Sequence, residues 1–459
     1  MKLPNEYIES LKKVTNLNIL KLEESFNHNA VAGVRFNHKK LPFKINEKNI
    51  ENFMKNYDIF AKFNQIPWCK EGFWIDENIK LGKNILHELG LYYLQEPSAM
   101  APVEFLNVQP SDNVLDLCAS PGGKSTQISS KLKEGFLIAN EIVPKRAKIL
   151  YENVERLGCD NVIVTNHSPR ELEIRFEKFF DKILVDAPCS GEGMFRKNSE
   201  AIFEWNKNSP MQCATRQKEI VKSAYKMLKP NGTMVYSTCT FSLEENEEVV
   251  KFLLDEFDDL EILPIDHKKY NFEKGIDIDK SKRLLNCARL YPYNIFGEGH
   301  FFAVIHKKEG VSKECKKEKL KNLNYNKQKI NIFEDFITKH SNLKFNNFCL
   351  MGEYLYANSF IDIDKLKVLN AGLFLGEFKK NNFVPSMHLS RSLTEGKFYP
   401  KLNLNLIEAK RYLEGLELNT NLKDGWVLLT YNNFPISFGK CVDGKIKNHY
   451  PKNLRKYLN

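Results

Sequence analysis

The stretch Asn113-Val114-Leu115-Asp116-Leu117-Cys118-Ala119-Ser120-Pro121-Gly122-Gly123-Lys124-Ser125 decides how the rest of the chain is read. Val114, Leu115 and Leu117 form a short apolar run of the kind found in a parallel strand covered on both faces. Pro121, Gly122 and Gly123 then turn the chain, and a helix is expected over Lys124–Leu132. A strand, a glycine turn and a helix in succession bring bare backbone and a helix N-terminus together, where a ligand can approach closely. The stretch fits two kinds of ligand, and its neighbours must choose between them.

Working outward, an alternating pattern runs from Leu91 to about Lys307. Strands are expected at Val114–Cys118, Gly135–Glu141, Val162–Thr165 and Lys182–Ala187, with a helix over Pro144–Leu157. A helix over Gln212–Leu228 carries Ile220, Val221, Ala224, Met227 and Leu228 on one face, and Pro230-Asn231-Gly232 stops it. Strand Thr233–Ser237 leads to a helix expected from Leu243, where Ser242 and Glu245 stand at capping-box spacing. Strand His300–His306 closes the region. This alternation predicts an α/β fold, a doubly wound Rossmann-like parallel sheet with ligands at its C-terminal strand ends.

The 459 residues exceed one ordinary core, so several domains are expected. A small α+β region is expected over 1–90, where Leu3, Tyr7, Ile8, Leu11 and Val14 keep helical spacing and Val31–Phe36 reads as a strand. Within it, Pro67-Trp68-Cys69-Lys70-Glu71-Gly72-Phe73-Trp74 is either a base-stacking surface or a hydrophobic plug against the next domain. The catalytic region is placed at 91–308 and a linker at 309–330, inside a run (307–329) holding nine lysines and three glutamates. A small accessory unit follows at 331–395. The last unit, 396–459, has a helix over Leu404–Leu413, strands at Trp426–Tyr431 and Pro435–Cys441, and a basic tail.

Hydrophobic content of 42% and charged content of 27% are those of a globular protein. No membrane span and no signal-peptide core are expected. Ten cysteines without a single Cys-x-x-Cys pair argue against a metal site or a disulfide framework, and for a reduced cytoplasmic setting. The formal charge of +10 and pI near 8.8 suggest an anionic partner, nucleic acid before acidic membrane.

A phosphate loop needs Gly, four spacers and then Gly-Lys-Ser/Thr. Gly123-Lys124-Ser125 fits the end, and Ile183-Leu184-Val185-Asp186 imitates a metal-holding strand, but the required first glycine is Cys118. The other ligand is S-adenosylmethionine, with its methionine end on the Pro-Gly-Gly turn and its ribose on Glu141 at the second strand end. Two thiols converge on the same edge, Cys189 in Asp186-Ala187-Pro188-Cys189 and Cys239 in Ser237-Thr238-Cys239. A thiolate that adds to carbon 6 of cytosine makes carbon 5 nucleophilic enough to accept a methyl group. A cation such as Lys124 would favour that thiolate.

These motifs resemble the Sun (Nol/Nop) family of RNA cytosine methyltransferases, in its bacterial RsmF/YebU-type branch. The likeness rests on Asp116–Lys124, Asn140-Glu141 with Arg146, Asp186–Met194 and Ser237-Thr238-Cys239. It continues in Arg289-Leu290-Tyr291-Pro292, in Gly297-Glu298-Gly299-His300-Phe301-Phe302 and in the basic tail. The resemblance implies an S-adenosylmethionine-dependent enzyme forming 5-methylcytosine in small-subunit (16S) ribosomal RNA, monomeric, with transfer RNA as the alternative substrate. It makes Cys239 the nucleophile and Cys189 the group that assists release, with Asp186 and Lys124 beside them. It puts the cofactor on Cys118, Ala119, Ser120, Pro121, Gly122, Gly123, Lys124, Glu141, Arg146 and Asp186. It also puts the cofactor on the position after the third strand, which is Ser168 here, where an Asp is usual, and Asn166 could substitute for it. The C-terminal unit resembles a PUA-like RNA-binding module, with Lys440, Lys447, His449 and Lys452 as candidate backbone contacts. From other classes, a P-loop-like ATPase and a non-catalytic RNA-binding protein remain as alternatives.

Overall fold

The computed structural model describes residues 3–76, 78–197, 200–309, 326–358, 360–380, 382–393 and 398–455. Most of the lysine-rich run, and with it most of the expected linker, lies outside the described residues.

A ten-stranded sheet carries the site. Five parallel strands form its centre in the spatial order Leu228–Thr238, Phe180–Asp186, Asn113–Asp116, Phe136–Asn140, Val162–Thr165. Successive side chains point to opposite faces. Leu115, Ile138, Ile163, Ile183 and Met234 therefore join one buried cluster. Val114, Leu137, Val162, Leu184 and Val235, their immediate neighbours, join another. Helices cover both faces, which is why these strands read as unbroken apolar runs. The strand order reverses between Asn113–Asp116 and Phe180–Asp186, and that reversal opens a crevice at the carboxyl ends of the strands.

The sheet is mixed rather than wholly parallel. His300–Lys307 pairs antiparallel with Leu228–Thr238, and Ala288–Leu290 pairs antiparallel with His300–Lys307. The last two are joined without a crossover helix, which restricts them to antiparallel pairing. At the far edge Val368–Ala371, from the accessory segment, adds antiparallel to Val162–Thr165. A helix over Pro169–Arg175, absent from the expected pattern, connects Val162–Thr165 to Phe180–Asp186. Two expected boundaries also move. Pro230-Asn231-Gly232 lies inside the strand Leu228–Thr238, and the helix expected from Leu243 begins at Glu247.

The N-terminal sheet, Asn64–Gln65, Gly72–Ile75, Ala32–Phe36 and Tyr92–Leu94, runs past residue 90. The aromatic stretch Pro67–Trp74 serves mainly as a plug. Trp68 is buried in the same cluster as Val103 and Ile128, donates Nε1–H to the Pro97 carbonyl at 2.9 Å and packs on Phe272. At the other end of the chain, Lys401–Leu404, Gly425–Tyr431, Phe434–Val442, Lys445–Asn448 and Leu418–Asn419 form a five-stranded sheet. Val427 and Leu429 of that sheet, with Tyr412 of the helix Leu406–Leu413, share one core with Val34, Phe36 and Ile50 of the N-terminal region.

Candidate active site

The decisive turn is held from two sides. Gly122 adopts a left-handed backbone (φ 108°), which a side chain would strain, and the helix Gly123–Lys131 follows. From the helix Pro144–Leu157, Asn153 donates to the Pro121 carbonyl at 2.9 Å and Arg146 to the Ser120 carbonyl at 3.2 Å. From the N-terminal sheet, the buried Arg35 donates to the Gly123 carbonyl at 2.9 Å and to Gln95.

Lys124 and Ser125, the residues that would hold a triphosphate and its metal, are committed elsewhere. Lys124 Nζ donates to Asp186 Oδ2 at 2.7 Å, and Ser125 Oγ donates to Asp116 Oδ2 at 2.7 Å. Burial alone would raise the Asp186 carboxyl, but Lys124, with His300 and Ser237, holds it below its usual value. Lys124 is correspondingly held above its usual value, Asp186 outweighing burial. Ser237 Oγ donates to Asp186 Oδ1 at 2.8 Å, and His300 Nε2 stands 3.8 Å from that oxygen. Behind them, burial pushes the Asp116 carboxyl up to about 7.

The two strand-end thiols meet. Cys189 Sγ lies 3.2 Å from Cys239 Sγ, and the Cys239 backbone N–H also points at Cys189 Sγ, at 3.3 Å. The hydrogen bond to Cys239, together with burial, pushes the Cys189 thiol well up, so Cys189 stays protonated at neutral pH. Both thiols are free rather than bridged. The loop carrying Cys189 is pinned by Glu245. That carboxylate accepts the Ser190 backbone N–H at 3.0 Å, the Ser190 hydroxyl and Gln217 Nε2 at 2.9 Å. This corrects the capping-box expectation. Ser242 Oγ does accept the Glu245 N–H at 3.3 Å, but the Glu245 side chain reaches across to the Cys189 loop instead of back to residue 242. Burial pushes Glu245 up to about 7.

On the other side of the turn, buried Glu141 accepts the Val143 N–H at 2.9 Å and has Arg146 at 3.5 Å. Ile142 and Val143 next to it are exposed. A carboxylate beside open apolar side chains suits a ribose hydroxyl and an adenine ring, so the residues present fit S-adenosylmethionine. Ser168, after the third strand, caps the helix Pro169–Arg175 in a capping box with Glu171. Asn166 donates to the Glu141 and Ile142 carbonyls at 2.6 and 2.9 Å, so it shapes this wall.

The basic candidates gather on the C-terminal sheet. Lys440 and Lys447 are cross-strand partners, and Lys440 and His449 both approach the Trp426 ring. Lys447 also pairs with Glu417 at 3.0 Å, and Lys452 is exposed in the short turn that follows. Asp116, Ser237, Glu245, Gln217 and His300 were not singled out as site residues from sequence. Ser237 and His300 sit inside quoted motifs, whereas Gln217 gave no signal at all.

Four family models match the chain in order. They are the N-terminal domain of 16S rRNA methyltransferase RsmF (residues 3–97), 16S rRNA methyltransferase RsmB/F (103–306), the RsmF first C-terminal domain (331–393) and the methyltransferase RsmF PUA domain (399–456). Ribosomal RNA small subunit methyltransferase F of Vibrio parahaemolyticus is 30% identical over 98% of this chain and 97% of its own length. Its namesake in Photobacterium profundum is 33% identical over 86% of each. Among solved structures, a methyltransferase homologue from Pyrococcus horikoshii is 28% identical, covering 66% of this chain and 100% of its own, with a TM-score of 0.54. NSun6 from the same organism, solved with SFG, shares the fold at 22% identity and a TM-score of 0.57, over 67% of this chain and 99% of its own. No helix among the described residues is long and apolar enough to cross a membrane. With relatives matched from end to end and the glycine turn set beside paired thiols, the chain belongs to the RsmF family of small-subunit ribosomal RNA methyltransferases.

Proposed function

We propose that the protein forms 5-methylcytosine in small-subunit ribosomal RNA, in the cytoplasm, through a covalent adduct between Cys239 and carbon 6 of the target base. The observation that carries this reading is the 3.2 Å approach of two strand-end thiols, Cys189 and Cys239, at the carboxyl edge of the sheet. S-adenosylmethionine, when bound, supplies the methyl group as an electrophilic sulfonium. The turn Cys118–Lys124 and Glu141 would hold it, with Arg146 steadying both. Asp186, ionised and open on one side, can accept from the exocyclic amino group of a cytosine lifted out of its stack, which uracil lacks.

Cys239 Sγ passes its proton to solvent and adds as the thiolate to carbon 6, and the electrons of the 5,6 double bond move to carbon 5. Lys124, close enough to feel the charge of Cys239, favours the thiolate. Once carbon 5 carries the methyl group, loss of its proton to a base re-forms the double bond and expels the Cys239 thiolate. The Cys189 thiol, beside the departing sulfur, donates a hydrogen bond to it and so eases release. The basic face at Lys440, Lys447, His449 and Lys452 is assigned to the RNA backbone.

The test substitutes each thiol in turn and follows methylation and protein–RNA adducts on denaturing gels. Cys239→Ala should abolish methylation, while Cys189→Ala should accumulate a covalent adduct. An adduct that survives in Cys239→Ala and disappears in Cys189→Ala overturns the assignment.

A further inference from the structure

His300 is a buried imidazole for which the family reading has no use. It opens the strand His300–Lys307, whose register pairs Phe301 with Thr238, so one step further His300 stands across from Cys239 at the strand end. Its ring is 3% exposed, neither nitrogen has a hydrogen bond of good geometry, and the Gly299 backbone beside it is the one main-chain group that acts on it. A buried ring in that state carries a desolvation penalty that its neighbours offset only in part, and such a group calls for an explanation. The carboxylate nearest Nε2 across the site is that of Asp186, whose Oδ1 stands 3.8 Å away, just outside hydrogen-bond range. The charged groups facing the ring are Lys124 from the helix Gly123–Lys131, Asp186 from its strand, and Glu96 from the segment after the N-terminal sheet. Burial, with Lys124, drives the imidazole down to about 4, so at neutral pH it is uncharged and offers one donor and one acceptor.

Asp186 needs a second donor. In the structure Lys124 occupies Oδ2 and Ser237 occupies Oδ1. The reaction proposed above asks Lys124 to serve the thiolate as well, and an ammonium that turns towards sulfur leaves a largely desolvated carboxylate with one hydroxyl.

We propose that His300 is a positioning residue, which donates Nε2–H to Asp186 Oδ1 when Lys124 turns from Asp186 to the reacting groups. The imidazole then keeps the carboxylate ionised and aimed at the base, and it frees Lys124 without leaving a buried charge unpaired. No covalent step runs through His300. Because donation to a carboxylate favours its charged form, loss of the donor must raise the Asp186 pKa.

The claim rests on the methylcytosine reading, and the experiment separates the two. His300→Met and His300→Gln are close in length and volume, but only Gln keeps an N–H near the place of Nε2. Single-turnover methylation of an RNA fragment spanning the target is followed between pH 3 and 8 for the parent and both variants, with melting curves as a fold control. His300→Met should slow the step about tenfold at unchanged half-saturating RNA, and its acid limb should move up by about one pH unit. His300→Gln should recover most of both. If His300→Met fails to fold, His300→Leu replaces it as the donorless partner. A donorless variant that matches the parent overturns the inference, as does an equal slowing of both variants with an unmoved acid limb. A parent that puts no methyl group on cytosine carbon 5 sinks the function reading itself.

Discussion

Replacing Lys124 by methionine removes the ammonium and keeps most of the side chain's volume. The pair it breaks is tight, Nζ to Oδ2 at 2.7 Å, with side chains 12% and 31% exposed. At an effective dielectric constant of 20, that separation corresponds to roughly 6 kcal/mol before screening and the cost of desolvating both groups. Allowing for the open third of Asp186, a net loss of about 2 kcal/mol is expected, which corresponds to a rise of about 1.5 units in the Asp186 pKa. The sign of the pH dependence follows from both partners. Asp186 is held below its usual value, so its contribution is present above the ordinary carboxylate range and is lost as pH falls through the depressed value. Lys124 is held above its usual value, so its contribution is lost as pH rises through the elevated one. The stability gap between parent and Lys124→Met should therefore be widest near pH 7 and close towards both extremes. Melting curves at a series of pH values read it, with an expected gap of about 5 °C at neutrality. Methylation should fall on the order of 100-fold, because the cation near the thiolate is gone. A gap that stays constant from pH 3 to pH 7, with activity within twofold of the parent, would refute the reasoning.

Other substitutions probe the surrounding parts. Burial raises Glu245 from the usual carboxylate range to about 7, so the stability it confers is present below the unfolded pKa and lost as pH rises towards 7. Glu245→Gln should flatten the stability profile of the parent between about pH 4.5 and 7, by on the order of 2 kcal/mol, leaving the parallel slopes from Asp116 and from Glu155, a buried carboxyl of the helix Pro144–Leu157 that burial likewise pushes up to about 7. An unchanged denaturation profile across that window would count against it. Trp68→Ala should cost about 3 kcal/mol and expose the junction of the N-terminal sheet to proteolysis; lost RNA affinity at full stability would favour the base-stacking role instead. Lys440→Ala should weaken RNA binding uniformly across sequences and reduce the slope of log affinity against log salt by about one, read by titration at several salt concentrations.

The central strands were legible because both faces are buried, so Val114-Leu115, Leu137-Ile138 and Ile183-Leu184 show as apolar pairs whose alternate members serve separate cores. The glycine turn was legible for a related reason, since a left-handed position such as Gly122 leaves a mark in composition. Partners distant in the chain were not. Val368–Ala371 reaches the catalytic sheet from some 200 residues beyond the Val162–Thr165 strand it joins, and nothing local to it announces that partner. The core shared by Phe36 and Tyr412 is hidden for the same reason. Glu245 shows how a local pattern misleads. Its spacing from Ser242 satisfies a helix cap, yet the Ser190 N–H and hydroxyl are the stronger claim on a buried carboxylate. Ser168 carries a role absent from the expected pattern, its hydroxyl capping the helix Pro169–Arg175.

The sharpest test of the account locates the bond to RNA. An RNA fragment spanning the target is made with 5-fluorocytosine at the methylated position, where the base cannot lose a proton from carbon 5 after transfer. Incubated with the parent enzyme and S-adenosylmethionine, it should remain attached, and peptide mass mapping should place the nucleotide on Cys239. Attachment at Cys189, or full methylation of the unmodified RNA with no adduct on the fluorinated one, would contradict the assignment of Cys239 as the nucleophile.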